Sequence, residues 1–248
     1  MSGEMVYGRQ PVLEVLRADR REIRRVLMAR NVRTAAAVIG QIMKQVERRS
    51  LVLESVSIPD LDRICHGGNH QGVAADVSVY PYVDLDDLAV AVSGAKEAPL
   101  ILLVDHVQDP QNLGSMLRTA DAAGVSGVVI PRERATEVTA AVVRASAGAA
   151  EHVRVAQVTN LHQAMCRLKE QGIWMAGLEG TPGAQLFSSV DLRGPVGLVV
   201  GSEGLGLSKL IADTCDVLMR IPMRGRVGSL NAAVAAALAL YEARRQRG

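Results

Sequence analysis

The sequence contains very few aromatic residues, since only 2% of its 248 residues are phenylalanine, tryptophan or tyrosine. The core must therefore be packed mainly from alanine, valine, leucine and isoleucine, which suit close contact between helices and a sheet. The shortage also excludes an RNA-binding sheet that stacks bases on exposed aromatic rings. Apolar residues still make up 48% and charged residues 22%. This is the composition of a folded globular protein with one large domain or two modest ones.

Cysteine is equally scarce, and long apolar runs are missing. Cys65, Cys166 and Cys215 lie far apart and form no C-x-x-C pair, which excludes a disulfide framework and a zinc ribbon. Cys65, His66 and His70 lack an evident fourth ligand, so we expect no metal site. No apolar run is long enough to cross a bilayer, and no signal segment is visible at the N-terminus. We therefore expect a cytosolic protein without membrane association.

The net charge is only +2, but the positive charge is concentrated in two arginine-rich stretches. Residues 17–33 contain seven arginines and two acidic residues, and residues 220–248 contain six arginines and one acidic residue. Arginine supplies 24 of the 28 basic residues, and its planar guanidinium suits paired contacts with phosphate. Two interpretations follow from charge alone: contact with a nucleic acid, or solvated helix faces.

Hydrophobic periodicity divides the chain into a small N-terminal domain over residues 1–79, a linker over residues 80–98 and a larger domain over residues 99–248. The first domain mixes short strands with helices, including a helix over Ala35–Arg48 and a strand over Val73–Val79. The linker carries several aspartates together with glycine and proline.

The larger domain repeats the order strand then helix. It begins with the continuous apolar run Leu100–Val104, and its predicted helices include Asn112–Ala123 and Thr136–Gly148. Repetition of this order predicts an α/β fold whose parallel sheet is covered by helices on both faces.

Ligands of open parallel sheets bind beyond the carboxyl ends of the strands, so candidate site residues are sought in the loops that follow them. In the first such loop, residues 105–119, Asn112 is placed to cap a helix, and Gly114 would let a ligand approach the backbone. Arg118 lies one and a half turns further on. An ordinary cap followed by a surface arginine is the alternative interpretation of this loop.

The loop over residues 201–208 places Glu203 between glycines, directly after a strand. Its glycine spacing is not that of a dinucleotide-binding fingerprint, and no P-loop lysine follows, which disfavours a phosphate cradle. A ligand-binding loop explains the glycines better than a simple tight turn does.

The loop over residues 221–231 leads into the last helix. Either Ser229 or Asn231 would suffice as a helix cap. Two polar side chains on either side of Leu230 exceed what one cap needs, which indicates a further role.

These loops together resemble the three motifs of the SpoU/TrmH family of SPOUT-class RNA 2′-O-methyltransferases. The motifs are D-P-x-N-x-G-x-x-x-R-T at Asp109–Thr119, G-S-E-G-x-G at Gly201–Gly206, and I-P-M-x-G-x-x-x-S-L-N at Ile221–Asn231. Tyr7-Gly8-Arg9 and His70–Ala74 resemble the small ribosomal-protein-L30-like substrate domain of the branch that methylates a guanosine in 23S ribosomal RNA.

The resemblance implies a fold, a cofactor and partners. It implies an L30-like N-terminal domain and a SPOUT domain whose C-terminal chain forms a trefoil knot, a rare topology. It further implies S-adenosylmethionine as cofactor, ribosomal RNA as partner, and a homodimer formed through the C-terminal domain.

The resemblance also assigns site residues. The family's catalytic positions fall on Arg118, Asn112, Glu203, Ser229 and Asn231. The cofactor would be bound by Gly201, Ile221 and Leu230, with Ala176, Gly177 and Leu178 as additional wall. From the basic stretch and the N-terminal motifs we expect RNA to be bound by Arg9, Arg20, Arg21, Arg24, Arg25 and Gln71.

We expect Arg118 to hold the target phosphate and stabilise the developing alkoxide, with its guanidinium fixed by Asn112 and Glu203. Arginine is effectively always protonated, which makes it a poor proton acceptor. Two alternatives stay open: the same reaction on a transfer-RNA guanosine, and a ribosome-assembly factor that binds RNA without methylating it. The presence of every catalytic position disfavours the second.

Overall fold

A computed structural model describes residues 3–32, 37–93 and 97–248. The strands are β1 (Gly3–Tyr7), β2 (Ile23–Ala29), β3 (Leu53–Val56), β4 (Val73–Ser78), β5 (Leu100–Val104), β6 (Gly127–Pro131), β7 (Val155–Val158), β8 (Trp174–Leu178), β9 (Gln185–Leu186), β10 (Val196–Val200) and β11 (Val217–Arg220). The helices are α1 (Arg9–Ala18), α2 (Ala37–Arg48), α3 (Ile58–Ile64), α4 (Leu85–Ser93), α5 (Pro110–Ala122), α6 (Ala140–Ala145), α7 (Leu161–Glu170), α8 (Lys209–Thr214) and α9 (Ala232–Arg247). Short 3₁₀ turns cover Ala149–Glu151 and Phe187–Ser189.

The chain folds into two compact units. The first combines Met1–Pro81 with Val138–His152, and the second combines Tyr82–Glu137 with Val153–Gly248. The helix predicted over Thr136–Gly148 is shorter in the structure, where only α6 is helical within that segment, and from Val138 onward the segment belongs to the first unit. The predicted division into domains at residues 79 and 98 stays a prediction.

The first unit is a small sheet covered by helices. Within the described residues its strand order is β1-β4-β2-β3, with β4 antiparallel to β1 and β2, and β3 parallel to β2. Helix α1 buries five apolar residues, and the core beneath α3 contains Leu27, Leu61 and Ala74. The predicted helix Ala35–Arg48 is present as α2, and its first two residues lie outside the described residues.

The second unit is built on a parallel sheet. Over the described residues its order is β7-β6-β5-β10-β8-β11-β9, and every neighbouring pair is parallel. All residues of β5, β6 and β10 are buried, as the continuous apolar runs predicted. The α/β class with a parallel sheet is therefore confirmed. The trefoil knot stays a prediction.

The start of α5 differs from the prediction. Asp109, not Asn112, is the helix cap, and its side chain accepts a hydrogen bond from Gln111 N at 3.1 Å. Pro110 occupies the first helical position, where the missing N–H costs nothing. The helix therefore begins two residues earlier than predicted, and the Asn112 side chain is released from capping.

Two arginines of the basic C-terminal stretch serve the fold of the second unit. Arg244 Nη2 donates to Gly124 O at 2.6 Å, at the C-terminal end of α5, where carbonyl groups lack helical partners. Arg247 donates to the carbonyls of Leu192 and Gly194 at 2.9 and 2.7 Å. These contacts favour neither of the two charge interpretations, since they are internal.

Some elements have no clear periodic signal in the sequence. Helices α3 and α8 are only seven and six residues long, and β9 has two residues, so none spans enough chain for a pattern to develop. In the part of the chain that the structure describes, no helix has both the length and the apolar character needed to span a membrane.

Candidate functional site

The three predicted loops follow β5, β10 and β11 of the parallel sheet, in which β8 lies between β10 and β11. Strand β10 pairs with β5 on one side and β8 on the other, so their carboxyl ends meet at one sheet edge. The loop after β5 leads into α5, and the loop after β10 carries the glycines and Glu203. The side chains predicted as catalytic are therefore brought toward one place by the sheet itself.

The loop after β10 folds back tightly on itself. Ser202 and Gly206 form an isolated bridge. A side chain at Gly201 would place its Cβ only 2.1 Å from Gly206 O, so no other residue fits there without moving the backbone. Gly204 and Gly206 have φ angles of +81° and +67°, in the region that favours glycine. These requirements explain the glycine spacing and hold Glu203 at the tip of the loop.

Glu203 is the centre of a hydrogen-bond network that joins all three loops. Its Oε1 accepts from Asn112 Nδ2 at 2.9 Å, from Asn231 Nδ2, and from Ala232 N at 3.3 Å. Asn231 Nδ2 also donates to Asn112 Oδ1 at 2.8 Å. The carboxylate lies at the N-terminus of α9, where the helix dipole favours negative charge. The predicted convergence of Asn112, Glu203 and Asn231 is present in the structure.

Asn231 combines a structural and a site role. Its Oδ1 accepts from Ala233 N at 3.0 Å and Val234 N at 3.2 Å, which caps α9. Its Nδ2 is left for the network. The amide oxygen of Asn231 therefore caps the helix while its amide nitrogen donates to the network, so the residue is both a helix cap and a site residue.

A cavity of about 510 Å³, the first cavity, lies against this loop. It is lined by Leu178, Gly201, Ile221 and Leu230 among the residues predicted to bind a cofactor, and also by Glu203 and Ser229. Its size suits a small organic ligand.

Two predicted cofactor residues lie elsewhere. Ala176 and Gly177 are buried inside β8 and do not line the first cavity. A side chain at Gly177 would meet Cys215 and Leu207 at 2.8 Å, so this glycine serves packing. Of the residues of β8, only the last one, Leu178, lines the cavity, because the cavity lies beyond the carboxyl end of the strand.

Arg118 does not join the network. It is exposed on α5, six residues after Asn112, which places it about 120° around the helix and about 9 Å along it. Among the described residues it has no hydrogen-bond or ion-pair partner. The expectation that Asn112 and Glu203 fix its guanidinium is therefore wrong, because those two side chains bind each other and Asn231 instead.

A second cavity of about 520 Å³ lies on the other side of the glycine loop. It shares Ser202, Glu203, Leu205 and Gly206 with the first cavity, and Asn112 also lines it. Glu203, the centre of the network, therefore borders both cavities.

Sequence reasoning missed Glu179, which immediately follows β8. Its Oε2 accepts from Leu207 N at 3.0 Å and its Oε1 from Gly180 N at 3.1 Å, and the residue lines the first cavity. It holds the end of the glycine loop against the sheet edge. Its position directly after a strand, which Glu179 shares with the residues of the other loops, is the sequence signal that could have identified it.

Cys65 and Cys215 are not candidate nucleophiles. Burial raises the pKa of the Cys65 thiol to about 11 and that of Cys215 to about 12, so both are protonated at neutral pH. Within the described ranges, no three histidine, cysteine or acidic side chains are grouped to hold a metal ion.

The arginines predicted to bind RNA are already engaged in the first unit. Arg21 is buried: its Nε donates to Glu151 Oε2 at 3.0 Å, and its Nη2 lies 2.8 Å from Oε1, an ion contact outside hydrogen-bond angles. Arg21 also lies over the Tyr80 ring, 4.9 Å from its centroid. The prediction that Arg21 contacts RNA is corrected, because charge counting along the chain does not reveal a partner 130 residues away.

The neighbouring arginines are only half-exposed. Arg20 donates to the carbonyls of Glu151 and Pro81, both at 3.1 Å. Arg24 lies 3.5 Å from Asp76, and Arg25 lies 3.0 Å from Glu54. Their charges are thus largely compensated within the sheet.

Arg9 and Gln71 lie together at one edge of the first sheet. Arg9 N donates to Gln71 Oε1 at 3.2 Å and Arg9 Nε to Gln71 O at 3.1 Å. His70 supports this turn, because its Nδ1 accepts from Gly72 N at 2.9 Å and its Nε2 lies 3.0 Å from Asp62. Arg30, exposed just after β2, belongs to the same edge.

Two family models cover most of the chain. Residues 99–241 match the model described as the SpoU rRNA Methylase family, and residues 5–83 match that described as RNA 2′-O ribose methyltransferase substrate binding. YacO of Bacillus subtilis (strain 168), whose name assigns it to the TrmH family of tRNA/rRNA methyltransferases, is 41% identical over 244 residues, covering 98% of this chain and 96% of YacO. A similarly named Staphylococcus aureus (strain MSSA476) protein is 38% identical, covering 100% and 98%.

Solved structures agree with this match. An AdoMet-bound rRNA methyltransferase from Sinorhizobium meliloti has a TM-score of 0.80 at 27% identity, covering 98% of this chain and 87% of that one. The SpoU methyltransferase AviRb from Streptomyces viridochromogenes, in complex with the cofactor AdoMet, has a TM-score of 0.81 at 28% identity, covering 98% and 90%. The chain therefore belongs to the SpoU rRNA methylase family and is an S-adenosylmethionine-dependent RNA methyltransferase.

Proposed function

We propose that this enzyme methylates the ribose 2′-hydroxyl of a guanosine in 23S ribosomal RNA, and that it does so in the cytoplasm. The observation that carries the proposal is that Glu203, the centre of the Asn112–Glu203–Asn231 network, borders both cavities. One cavity is suited to the cofactor and the other to the acceptor nucleotide, so the network lies where the two reactants would meet.

The residues of the first cavity fit S-adenosylmethionine. Leu178, Ile221 and Leu230 offer apolar contact for an adenine ring, and the close turn at Gly201 presents backbone groups in place of side chains. Bound there, the cofactor supplies an electrophilic methyl group on a sulfonium. Glu179 keeps the loop wall of this cavity in place.

The network serves positioning. A ribose hydroxyl reacts well only when it is held in line with the methyl group, and small displacements cost much of the rate. Glu203 fixes the loops that carry Asn112 and Asn231. Ser229 lines the first cavity together with Glu203. Arg118 is exposed, and in this proposal it binds the target phosphate and stabilises the developing alkoxide.

A homodimer through the C-terminal domain is part of the proposal. Helix α9 leaves Val234, Leu238 and Tyr241 exposed at 48%, 41% and 54%. Their spacing of four and three residues places them on one face of the helix. An apolar stripe of this kind, next to the N-terminus that carries Asn231, suits contact with a second copy.

The test is mapping of 2′-O-methylated nucleotides in 23S RNA from a deletion strain. We expect one guanosine mark to be missing, and to return with the wild-type gene and not with Arg118→Ala. Purified Arg118→Ala protein should keep its thermal shift with S-adenosylmethionine, since Arg118 does not line the first cavity.

One outcome would overturn the assignment to 23S RNA, and another would overturn the role of Arg118. A complete set of 23S marks with a lost transfer-RNA mark would assign the enzyme to transfer RNA. Full restoration by Arg118→Ala would remove Arg118 from the mechanism.

For RNA contact in the first unit we propose the sheet edge that carries Arg9, Gln71 and Arg30. The double variant Arg9→Ala/Arg30→Ala should weaken RNA binding and reduce the slope of log affinity against log salt by about 1 for each lost phosphate contact. Filter binding at several salt concentrations measures this. Arg17→Ala, which removes an exposed arginine paired with Glu14 at 2.9 Å, is the matched control. An equal loss in the control would contradict the assignment.

A further inference from the structure

The loop after β5 contains a histidine in an unusual backbone conformation. His106 has a φ of +56°, in the left-handed region where a side chain costs energy. Such a conformation persists only where the surroundings hold it, and it is frequent at functional sites. No part of the network described above involves His106.

A buried carboxylate fixes the ring. Asp105 is 1% exposed, and its Oδ1 is hydrogen-bonded to His106 Nδ1. Its Oδ2 accepts from Ser208 N at 2.9 Å, which holds the carboxylate in place. A neutral imidazole with its proton on Nδ1 presents Nε2 as a hydrogen-bond acceptor. Among the described residues, Nε2 has no partner.

The imidazole lines the second cavity. Asp109, Asn112, Arg134 and Glu203 line the same cavity, so His106 shares it with two members of the network. The Asp109 side chain uses Oδ1 to cap α5, which leaves Oδ2 as a second acceptor on the same short loop.

We propose that the Asp105–His106 pair is a specificity element that reads the base of the acceptor nucleotide in the second cavity. The inference rests on the proposed function. Guanine presents two adjacent N–H donors on its Watson–Crick edge, N1–H and the 2-amino group, and no other standard base does. The second cavity offers two acceptors from one short loop, His106 Nε2 and the free oxygen of Asp109, to receive these two donors.

Recognition of this kind gives discrimination because a base without the donors leaves the acceptors unpaired in the pocket. Arg134 offers the only positive charge among the residues lining the second cavity that the structure describes. It would contact a phosphate next to the one assigned to Arg118, and a phosphate carries no sequence information.

The variant that tests His106 is His106→Gly. Glycine adopts the left-handed backbone without strain, so the imidazole is removed and the loop is kept. His106→Asn is the second variant, because asparagine also tolerates this conformation and retains an acceptor. Ser50→Gly, at an exposed residue with a φ of +50° in the first unit, is the matched control.

The experiment compares RNA substrates with guanosine, inosine or adenosine at the mapped target position. Inosine lacks only the 2-amino group. We expect wild-type protein and Ser50→Gly to prefer guanosine over inosine by about tenfold in kcat/KM, and His106→Gly to lose most of this preference. His106→Asn should retain part of it. Affinity for S-adenosylmethionine should stay within about twofold in every variant.

An unchanged guanosine preference in His106→Gly would overturn the inference, as would a loss of cofactor affinity equal to the loss of activity. Failure of the proposed function looks different, since wild-type protein would then leave 23S RNA unmethylated. If wild-type protein methylates another RNA and His106→Gly loses base discrimination there, the inference stands and the 23S assignment falls.

Discussion

Replacing Glu203 by alanine is expected to lower the methylation rate by about a hundredfold. The substitution removes the oxygen that accepts from Asn112, Asn231 and Ala232 N, so three donors lose their partner and the loops lose their common attachment. Displacement of reacting groups by about 1 Å is enough for such a loss. Single-turnover kinetics with saturating S-adenosylmethionine measure the effect on the chemical step.

The conservative variant separates positioning from charge. Glu203→Gln keeps an oxygen that accepts the same hydrogen bonds, so we expect its rate to lie within about tenfold of wild type. Glu170→Ala, on the exposed side of α7, is the control and should be fully active. Equal, large losses in the alanine and glutamine variants would show that the charge of Glu203, and not its hydrogen bonding, sets the rate.

Replacing Arg21 by methionine is expected to destabilise the first unit by about 3 kcal/mol. The variant leaves Glu151 buried without its main charge partner, and breaking a buried ion pair from one side is costly. Burial raises the pKa of the Glu151 carboxyl even though the positive charge of Arg21 lowers it. Burial also raises the pKa of the neighbouring Tyr80 hydroxyl. Urea denaturation monitored by circular dichroism measures the free energy of unfolding.

The control and the second variant sharpen this test. Arg25→Met breaks an ion pair whose two side chains are about 40% exposed, and should cost less than about 1 kcal/mol. Arg21→Met/Glu151→Leu should recover part of the loss, because no buried charge is left without a partner; Glu4, which also pairs with Arg21 at 2.8 Å, is partly exposed. Similar losses for Arg21→Met and Arg25→Met would contradict the assignment of a buried, structural pair.

Much of the site can be predicted from the sequence, because it depends on which residues directly follow each strand along the chain. Polar residues after buried strands of a parallel sheet must meet at one edge, and Asn112, Glu203 and Asn231 do. The parallel sheet was likewise visible in runs such as Leu100–Val104, which forms β5 with the predicted bounds.

What could not be predicted depends on contacts between distant residues. Arg118 shares a motif with Asn112, and their six-residue spacing already places them about 120° apart on the helix. The sequence does not show that Asn112 is bound by Glu203 and Asn231 instead. Arg21 looks like a surface cation in a basic stretch, and only Glu151 shows that it is internal. Charge counts and spacing carry no information about these distant partners.

The arrangement of the first unit has a consequence for grafting its N-terminal piece onto another catalytic domain. A fragment ending at Pro81 would contain Arg21 but not Glu151, and would lack the Ala150 carbonyl that accepts from the Tyr80 hydroxyl at 2.7 Å. Transplanting the N-terminal piece alone onto another catalytic domain would therefore leave the Arg21 guanidinium without Glu151, its buried partner, and with only the partly exposed Glu4. A working exchange has to carry two separate stretches of chain, so the boundary for grafting is set by Val138–His152 as much as by the linker.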